Sequence, residues 1–245
     1  MQKLEAIRDY WTLRADGFSA GNQDELNGEA RIAWRDVLRK NVPAGENLKC
    51  LDIGCGPGFL SILLAECGYE VTAVDYTEKM LERARENAAA EGAAIRFLRM
   101  DAQSMDFPDN SFDFIVSRNL VWNLEEPERA YLEWLRILKP EGRLVIFDGN
   151  HYLYQFNQDY LEERRAEGYQ DGHKAEYIQG VSTAIMGEIA RELPLSRLER
   201  PQWDLNFLIG AGVKRVCADL VRKEFLTSEK VKKSIVKSFT ICADK

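Results

Sequence analysis

The chain has 245 residues, 45% hydrophobic and 30% charged, a size and balance that suit one α/β domain with an appended cap and oppose wholesale disorder. Its net charge of −7 and pI of about 5.1 are the wrong sign for a surface that tracks phosphates, no apolar run approaches the roughly 18 residues of a bilayer span, and Met1-Gln2-Lys3-Leu4-Glu5 carries no apolar signal core. No nucleic-acid or membrane partner is expected, and a cytoplasmic location is.

Cys50, Cys55, Cys67, Cys217 and Cys242 form no Cys-x-x-Cys pair and are read as buried thiols of a reducing compartment. With His151 and His173 the only histidines, a histidine-built metal site is not expected. The basic stretch Lys230–Lys233 is read as a solvated helix face or a turn.

Leu4, Ile7 and Trp11 recur at helical spacing, and Leu26, Ala30, Ala33, Trp34, Val37 and Leu38 mark a second amphipathic helix. Ala15–Asn22, with two glycines, is expected to be a loop between them, and Pro43 and Gly45 close this leader. From Lys49 the pattern becomes strand and helix in alternation. Strands are expected at Lys49–Ile53, Val71–Val74, Ile95–Met100, Phe112–Ser117 and Arg143–Phe147. Helices are expected at Gly58–Cys67, Glu78–Glu91 (with Thr77 at the N-cap) and Glu128–Leu138. Such alternation predicts a parallel sheet covered on both faces. Beyond Asp148 the pattern breaks. Helices are expected at Tyr160–Gly168, Thr183–Leu193 and Trp203–Ile209, and closing strands at Val213–Leu220 and Ser238–Ala243.

The segment Leu51-Asp52-Ile53-Gly54-Cys55-Gly56-Pro57-Gly58-Phe59 runs a strand through a glycine turn into a helix, which lets a ligand approach bare backbone amides. Its spacing is G-x-G-x-G, not the G-x-G-x-x-G of dinucleotide enzymes. The acid before the first glycine repels a pyrophosphate but suits the ammonium of an amino-acid moiety.

D-I-G-C-G-P-G resembles the first motif of class I S-adenosylmethionine-dependent methyltransferases. Four further segments agree in order: Val74-Asp75-Tyr76-Thr77, Met100-Asp101-Ala102-Gln103, Ser117-Arg118-Asn119-Leu120-Val121-Trp122, and Leu138-Lys139-Pro140-Glu141-Gly142-Arg143-Leu144. In the last, Glu141 departs from the family's glycine. The resemblance implies a doubly wound, mostly parallel seven-stranded sheet with an antiparallel last strand, a helical N-terminal lid and a helical insert after the fifth strand. It implies one methyltransferase domain over 1–245: lid 1–45, cofactor core 46–148, acceptor-side insert 149–200, closing helix and strands 201–245.

The implied cofactor is S-adenosylmethionine, leaving as S-adenosylhomocysteine. By the resemblance Asp52, Gly54, Cys55 and Gly56 line the methionine part, Asp75 takes the ribose hydroxyls, Tyr76 and Met80 pack on the adenine, and the Asp101-Ala102-Gln103 turn reads its amino group. Arg118 and Asn119 would face the sulfonium. Tyr10, Arg14 and Phe18 look like a lid over the cofactor, with aromatic faces for the cation and a guanidinium for the carboxylate; equally, they fit a core stripe and a plain loop.

His151 follows the fifth strand and is either a surface residue or a general base. Trp122, Asn123, Tyr152, Tyr154, Tyr160 and Trp203 either wall an acceptor pocket or seat the insert on the sheet. The fourth-strand loop lacks D/N-P-P-Y/F, no Pro-Cys dipeptide occurs, and no catechol-type metal set is found. A small-molecule acceptor is therefore expected, with no metal. Two rival readings are a catalytically silent S-adenosylmethionine-binding module and an NAD-dependent oxidoreductase. Oligomeric state is not legible.

Overall fold

A computed structural model describes residues 3–166 and 175–245. Seven strands form one sheet: β1 (Lys49–Ile53), β2 (Glu70–Asp75), β3 (Ile95–Arg99), β4 (Phe112–Arg118), β5 (Leu138–Gly149), β6 (Arg215–Leu226) and β7 (Lys232–Asp244). Their order is β3-β2-β1-β4-β5-β7-β6. The first five are parallel, and β7 runs antiparallel to both of its neighbours. The expected fold class is the observed one.

The central strands are apolar on both faces because helices cover both. On one side α2 (Ala30–Asn41), α3 (Phe59–Glu66) and α4 (Glu78–Ala90) bury Leu38, Ile62, Leu63 and Ala88 against Cys50, Phe114 and Val145. On the other, α5 (Pro127–Ile137) and α9 (Gln202–Gly210) bury Tyr131, Trp134 and Leu208 against Leu51, Ile115 and Leu144. The reversal of strand order at β1/β4 opens a crevice at the carboxyl ends of the strands, where α/β sheets bind ligands.

The leader departs from the expected loop. A single helix, α1 (Lys3–Asn27), runs through Ala15–Asn22. Gly17 stands in mid-helix because a Cβ there would lie 1.9 Å from the Tyr177 carbonyl oxygen. It is a close-approach glycine for α7 (Ala175–Ile178), not a turn glycine. The insert also holds α6 (Gln158–Ala166) and α8 (Thr183–Ala190). His173 and the end of the helix expected over Tyr160–Gly168 lie outside the described residues.

Other boundaries shift. β5 begins at Leu138 and takes in the Lys-Pro-Glu-Gly turn, where Glu141 adopts φ +65°, the left-handed backbone that explains the family's glycine there. β6 and β7 extend past the sheet as a long hairpin, so Lys230 sits in its turn and Lys232 and Lys233 open β7. Thr77 occupies the N-cap of α4, but its hydroxyl makes no capping bond. Cys217 is exposed and Cys67 and Cys242 are half-buried, so only Cys50 and Cys55 are the buried thiols expected. Cys217 escapes burial because β6 is the sheet's outer strand. Among the described residues no helix is long and apolar enough to cross a membrane.

Candidate active site

One cavity of about 1280 Å³ lies over the carboxyl ends of β1, β2, β4 and β5. Typical small-molecule pockets are roughly 300–1,000 Å³, so there is room for two ligands end to end.

At the floor, Gly54 (φ +67°) and Gly56 (φ +52°) bend the chain from β1 toward α3. The amides of Gly54 and Cys55 bond to the Val74 carbonyl, locking the loop to β2. Open space faces Gly56 where a Cβ would stand. Asp52 is buried and accepts a 2.5 Å bond from Ser61 Oγ. Burial pushes its carboxyl up to about 7, against the Ser61 bond and Arg118. Burial likewise raises Cys55 far above the usual thiol range, which leaves it an inert lining.

Asp75 ends β2 and accepts the Gly56 amide at 2.9 Å on one oxygen and the Thr77 amide at 2.8 Å on the other. Burial raises its carboxyl, and those two amides oppose the shift. Each oxygen keeps a lone pair, which is what a vicinal diol needs. Tyr76 and Met80 flank it, with the Arg99 guanidinium 5.3 Å from the Tyr76 ring. Asp101 accepts the Gln103 amide at 2.9 Å, and Gln103 Oε1 in turn accepts the Glu126 amide at 2.6 Å.

Over this floor lies α1. Arg14 is 2% exposed. Its Nη1 donates to Tyr10 Oη at 3.1 Å and its Nη2 to the Tyr177 carbonyl at 3.4 Å, while Nε has no partner. Among the described residues no carboxylate pairs with this guanidinium. A buried cation with a free donor, lining a cavity, is an anion site by default. Phe18 packs edge-on to Trp11, with ring centres 5.4 Å apart. Arg118 lines the cavity with its charge already paired: Nη1 and Nη2 donate to Glu25 of α1 at 3.1 and 2.8 Å, and the guanidinium is stacked over Trp34 and Phe59. Asn119, at φ +56°, turns the chain after β4.

At the far end the rings of His151, Trp122, Tyr152 and Tyr154 follow one another at centroid spacings of 5.4, 5.0 and 6.0 Å. Asn123 is buried beside them with its Oδ1 unpaired. Tyr160 reaches the cavity edge, but Trp203 does not: it stacks on Tyr131 and Phe207 instead. The reason is that α9 covers the opposite face of the sheet.

The cavity thus brings together Tyr10, Arg14, Phe18, Asp52, Gly54, Cys55, Gly56, Asp75, Tyr76, Met80, Asp101, Ala102, Gln103, Arg118, Asn119, Trp122, Asn123, His151, Tyr152 and Tyr154. Sequence reasoning missed Glu25, Glu163 and Lys237. Glu163 and Lys237 meet at 2.7 Å at the far end of the cavity, joined from α6 and β7, and no local pattern marks them. Among the described residues no cluster fit for a metal exists.

The bare Gly56 backbone, the lone pairs of Asp75 and the unpaired Arg14 Nε match an amino-acid moiety, a ribose and a carboxylate in that order. S-adenosylmethionine carries all three. Residues 51–146 match the model of a methyltransferase domain. A demethylmenaquinone methyltransferase of Thermus thermophilus is 38% identical over 129 residues, 50% of this chain and 57% of that protein. A phosphatidylethanolamine N-methyltransferase of Cereibacter sphaeroides is 40% identical over 153 residues, 61% of this chain and 70% of that one. The chain spans about half the length of the demethylmenaquinone enzymes it matches. In fold it is similar to an S-adenosylmethionine-dependent methyltransferase of Aquifex aeolicus, with TM-score 0.55 at 21% identity over 92% of this chain and 97% of that one. This chain belongs to the class I S-adenosylmethionine-dependent methyltransferases.

Proposed function

We propose that this chain transfers the methyl group of S-adenosylmethionine to a small-molecule acceptor, working as one cytoplasmic methyltransferase domain with residues 1–45 as lid and 149–200 as acceptor-side insert. One observation carries the reading: the glycine loop and the aromatic wall line the same cavity. A silent binding module has no need of the second half, and the oxidoreductase reading has no support left beside the family.

When bound, the cofactor supplies an electrophilic methyl carbon on a cationic sulfonium. The chain's residues do the rest. Gly54, Gly56 and Asp52 hold the amino-acid moiety, Arg14 its carboxylate and Asp75 the ribose. Tyr76 and Met80 flank the base and the Asp101-Ala102-Gln103 turn reads it. Tyr10, Phe18 and Trp122 present aromatic faces suited to a sulfonium. In-line displacement needs alignment and exclusion of water above all, and α1 supplies the cover. His151 is the proposed general base for an acceptor whose attacking atom carries a proton. Demethylmenaquinone and phosphatidylethanolamine, the compounds in the names of the two relatives, carry a ring C–H and an amine N–H, and both meet that condition.

The test is transfer of tritiated methyl from S-adenosylmethionine to a demethylated naphthoquinol and to an ethanolamine phospholipid. Label in either product, reduced by His151→Gln, is expected. S-adenosylhomocysteine binding without transfer to any quinol, amine or hydroxyl acceptor would favour the silent module.

A further inference from the structure

Asp148 lies near the end of β5, fully buried, and its carboxylate is saturated. Oδ1 accepts the Gly149 amide at 2.8 Å and faces His151 Nε2 at 3.5 Å; Oδ2 accepts the Trp122 amide at 3.1 Å and Arg200 Nη1 at 2.7 Å. The His151 distance is at the long end of the hydrogen-bonding range, as is common for catalytic pairs before substrate binds. His151 Nδ1 has no partner among the described residues. Arg200, 1% exposed, is also held by Asp204 through Nε at 2.9 Å and Nη2 at 2.6 Å. Two carboxylates therefore share one guanidinium, and the buried group is one positive charge short of neutral. The missing charge is the one His151 gains when it takes a proton.

We infer that Asp148 is a positioning residue that fixes His151 as the Nε2–H tautomer and leaves Nδ1 to accept the proton released by the methyl acceptor. As the acceptor atom bonds to the methyl carbon, the electron pair of the broken carbon–sulfur bond stays on sulfur. The acceptor's proton passes to Nδ1, and the resulting imidazolium rests against the Asp148 carboxylate. Burial works against that carboxylate, but Arg200 and His151 hold it below the ordinary range, so it stays ionised. The other charged groups lining the cavity around this end are Arg8 and Arg14 of α1, Glu125 before α5, Glu163 and Arg164 of α6, and Lys237 of β7. Because Asp148 also accepts the Trp122 amide, one carboxylate sets both the base and the wall beside it. The tautomer inference is independent of the methyl-transfer reading; only the use of the proton rests on it.

Histidine-¹⁵N-labelled protein saturated with S-adenosylhomocysteine, near pH 8, reports the tautomer directly in long-range ¹H–¹⁵N spectra. With two histidines in the chain, His173→Gln completes the assignment. His151 is expected as Nε2–H alone. In Asp148→Asn, Arg200 and the Trp122 amide, two donors of which one is charged, outweigh the Gly149 amide in claiming the single oxygen, which turns the NH₂ toward His151 and drives it to Nδ1–H. A wild-type His151 with the tautomer mixture of free histidine, or unchanged in Asp148→Asn, overturns the inference. Should Asp148→Asn fail to bind S-adenosylhomocysteine, the wild-type spectrum still decides. With an accepted substrate, Asp148→Asn lowers kcat by roughly 10²-fold at unchanged KM for S-adenosylmethionine. If no substrate accepts label, the tautomer result stands and only the methyl-transfer reading falls.

Discussion

Arg118, the last residue of β4, grips Glu25 of α1 through two hydrogen bonds of 3.1 and 2.8 Å, 93 residues apart in the chain. The guanidinium is stacked over Trp34 and Phe59, so the pair is bidentate and partly shielded. It fastens α1 to the edge of the sheet where the cavity opens. Glu25→Gln is expected to weaken the seating of α1 on the sheet by about 1 kcal/mol. Calorimetric titration then shows S-adenosylhomocysteine binding roughly fivefold more weakly.

Arg14 has a sharper signature. A charge-assisted bond is worth about 1.5–3 kcal/mol, so Arg14→Met raises the dissociation constant for S-adenosylhomocysteine by roughly 10- to 100-fold. Adenosine, which lacks the carboxylate, binds both proteins alike. Equal loss for the two ligands would place the role of Arg14 in folding α1 instead.

The buried Asp52 carboxyl, raised to about 7, links binding and stability to pH. A raised acid is neutral in the folded state where the unfolded chain has already ionised. Its contribution to stability is therefore fully present below about pH 4 and is lost as pH rises through about 7. The cofactor's ammonium favours the ionised form, so affinity moves the other way. S-adenosylhomocysteine binds up to about tenfold more tightly at pH 8 than at pH 6, and proton release is measurable by calorimetry in two buffers. Asp52→Asn flattens both profiles.

How legible was this in the sequence? The core was, because each parallel strand ends in residues with one backbone or side-chain job: Gly54 and Gly56 to turn, Asp75 to accept. Those jobs are local. The leader was misread because Gly17 answers to Tyr177, some 160 residues away, and a glycine carries no mark of whether it makes a turn or clears space. The two readings of Trp203 stayed open for a related reason, since an aromatic side chain does not declare which face of a sheet it covers. Asp148 and Arg200 are 52 residues apart, and neither stands in a pattern that announces the other.

That buried network is also a stability element. Arg200 depends on Asp204, and Asp204 accepts from Tyr131 Oη as well. Removing Asp204 leaves Arg200 paired with Asp148 but strips the buried Arg200 Nε and Nη2 and the Tyr131 hydroxyl of their acceptor, which together costs about 3–5 kcal/mol. Asp204→Ala is expected to lower the unfolding free energy by that amount in denaturant titrations.

The central claim is that this cavity holds S-adenosylmethionine through the residues named. The measurement is thermal unfolding with S-adenosylhomocysteine and, separately, with NAD, in wild type and in Asp75→Ala. Ligand at about 100 times its dissociation constant stabilises by roughly 2.7 kcal/mol, a shift of several degrees in Tm for a chain of this size. That shift is expected with S-adenosylhomocysteine alone, and it is lost in Asp75→Ala. A shift with NAD alone, or an S-adenosylhomocysteine shift that survives Asp75→Ala intact, would contradict the claim.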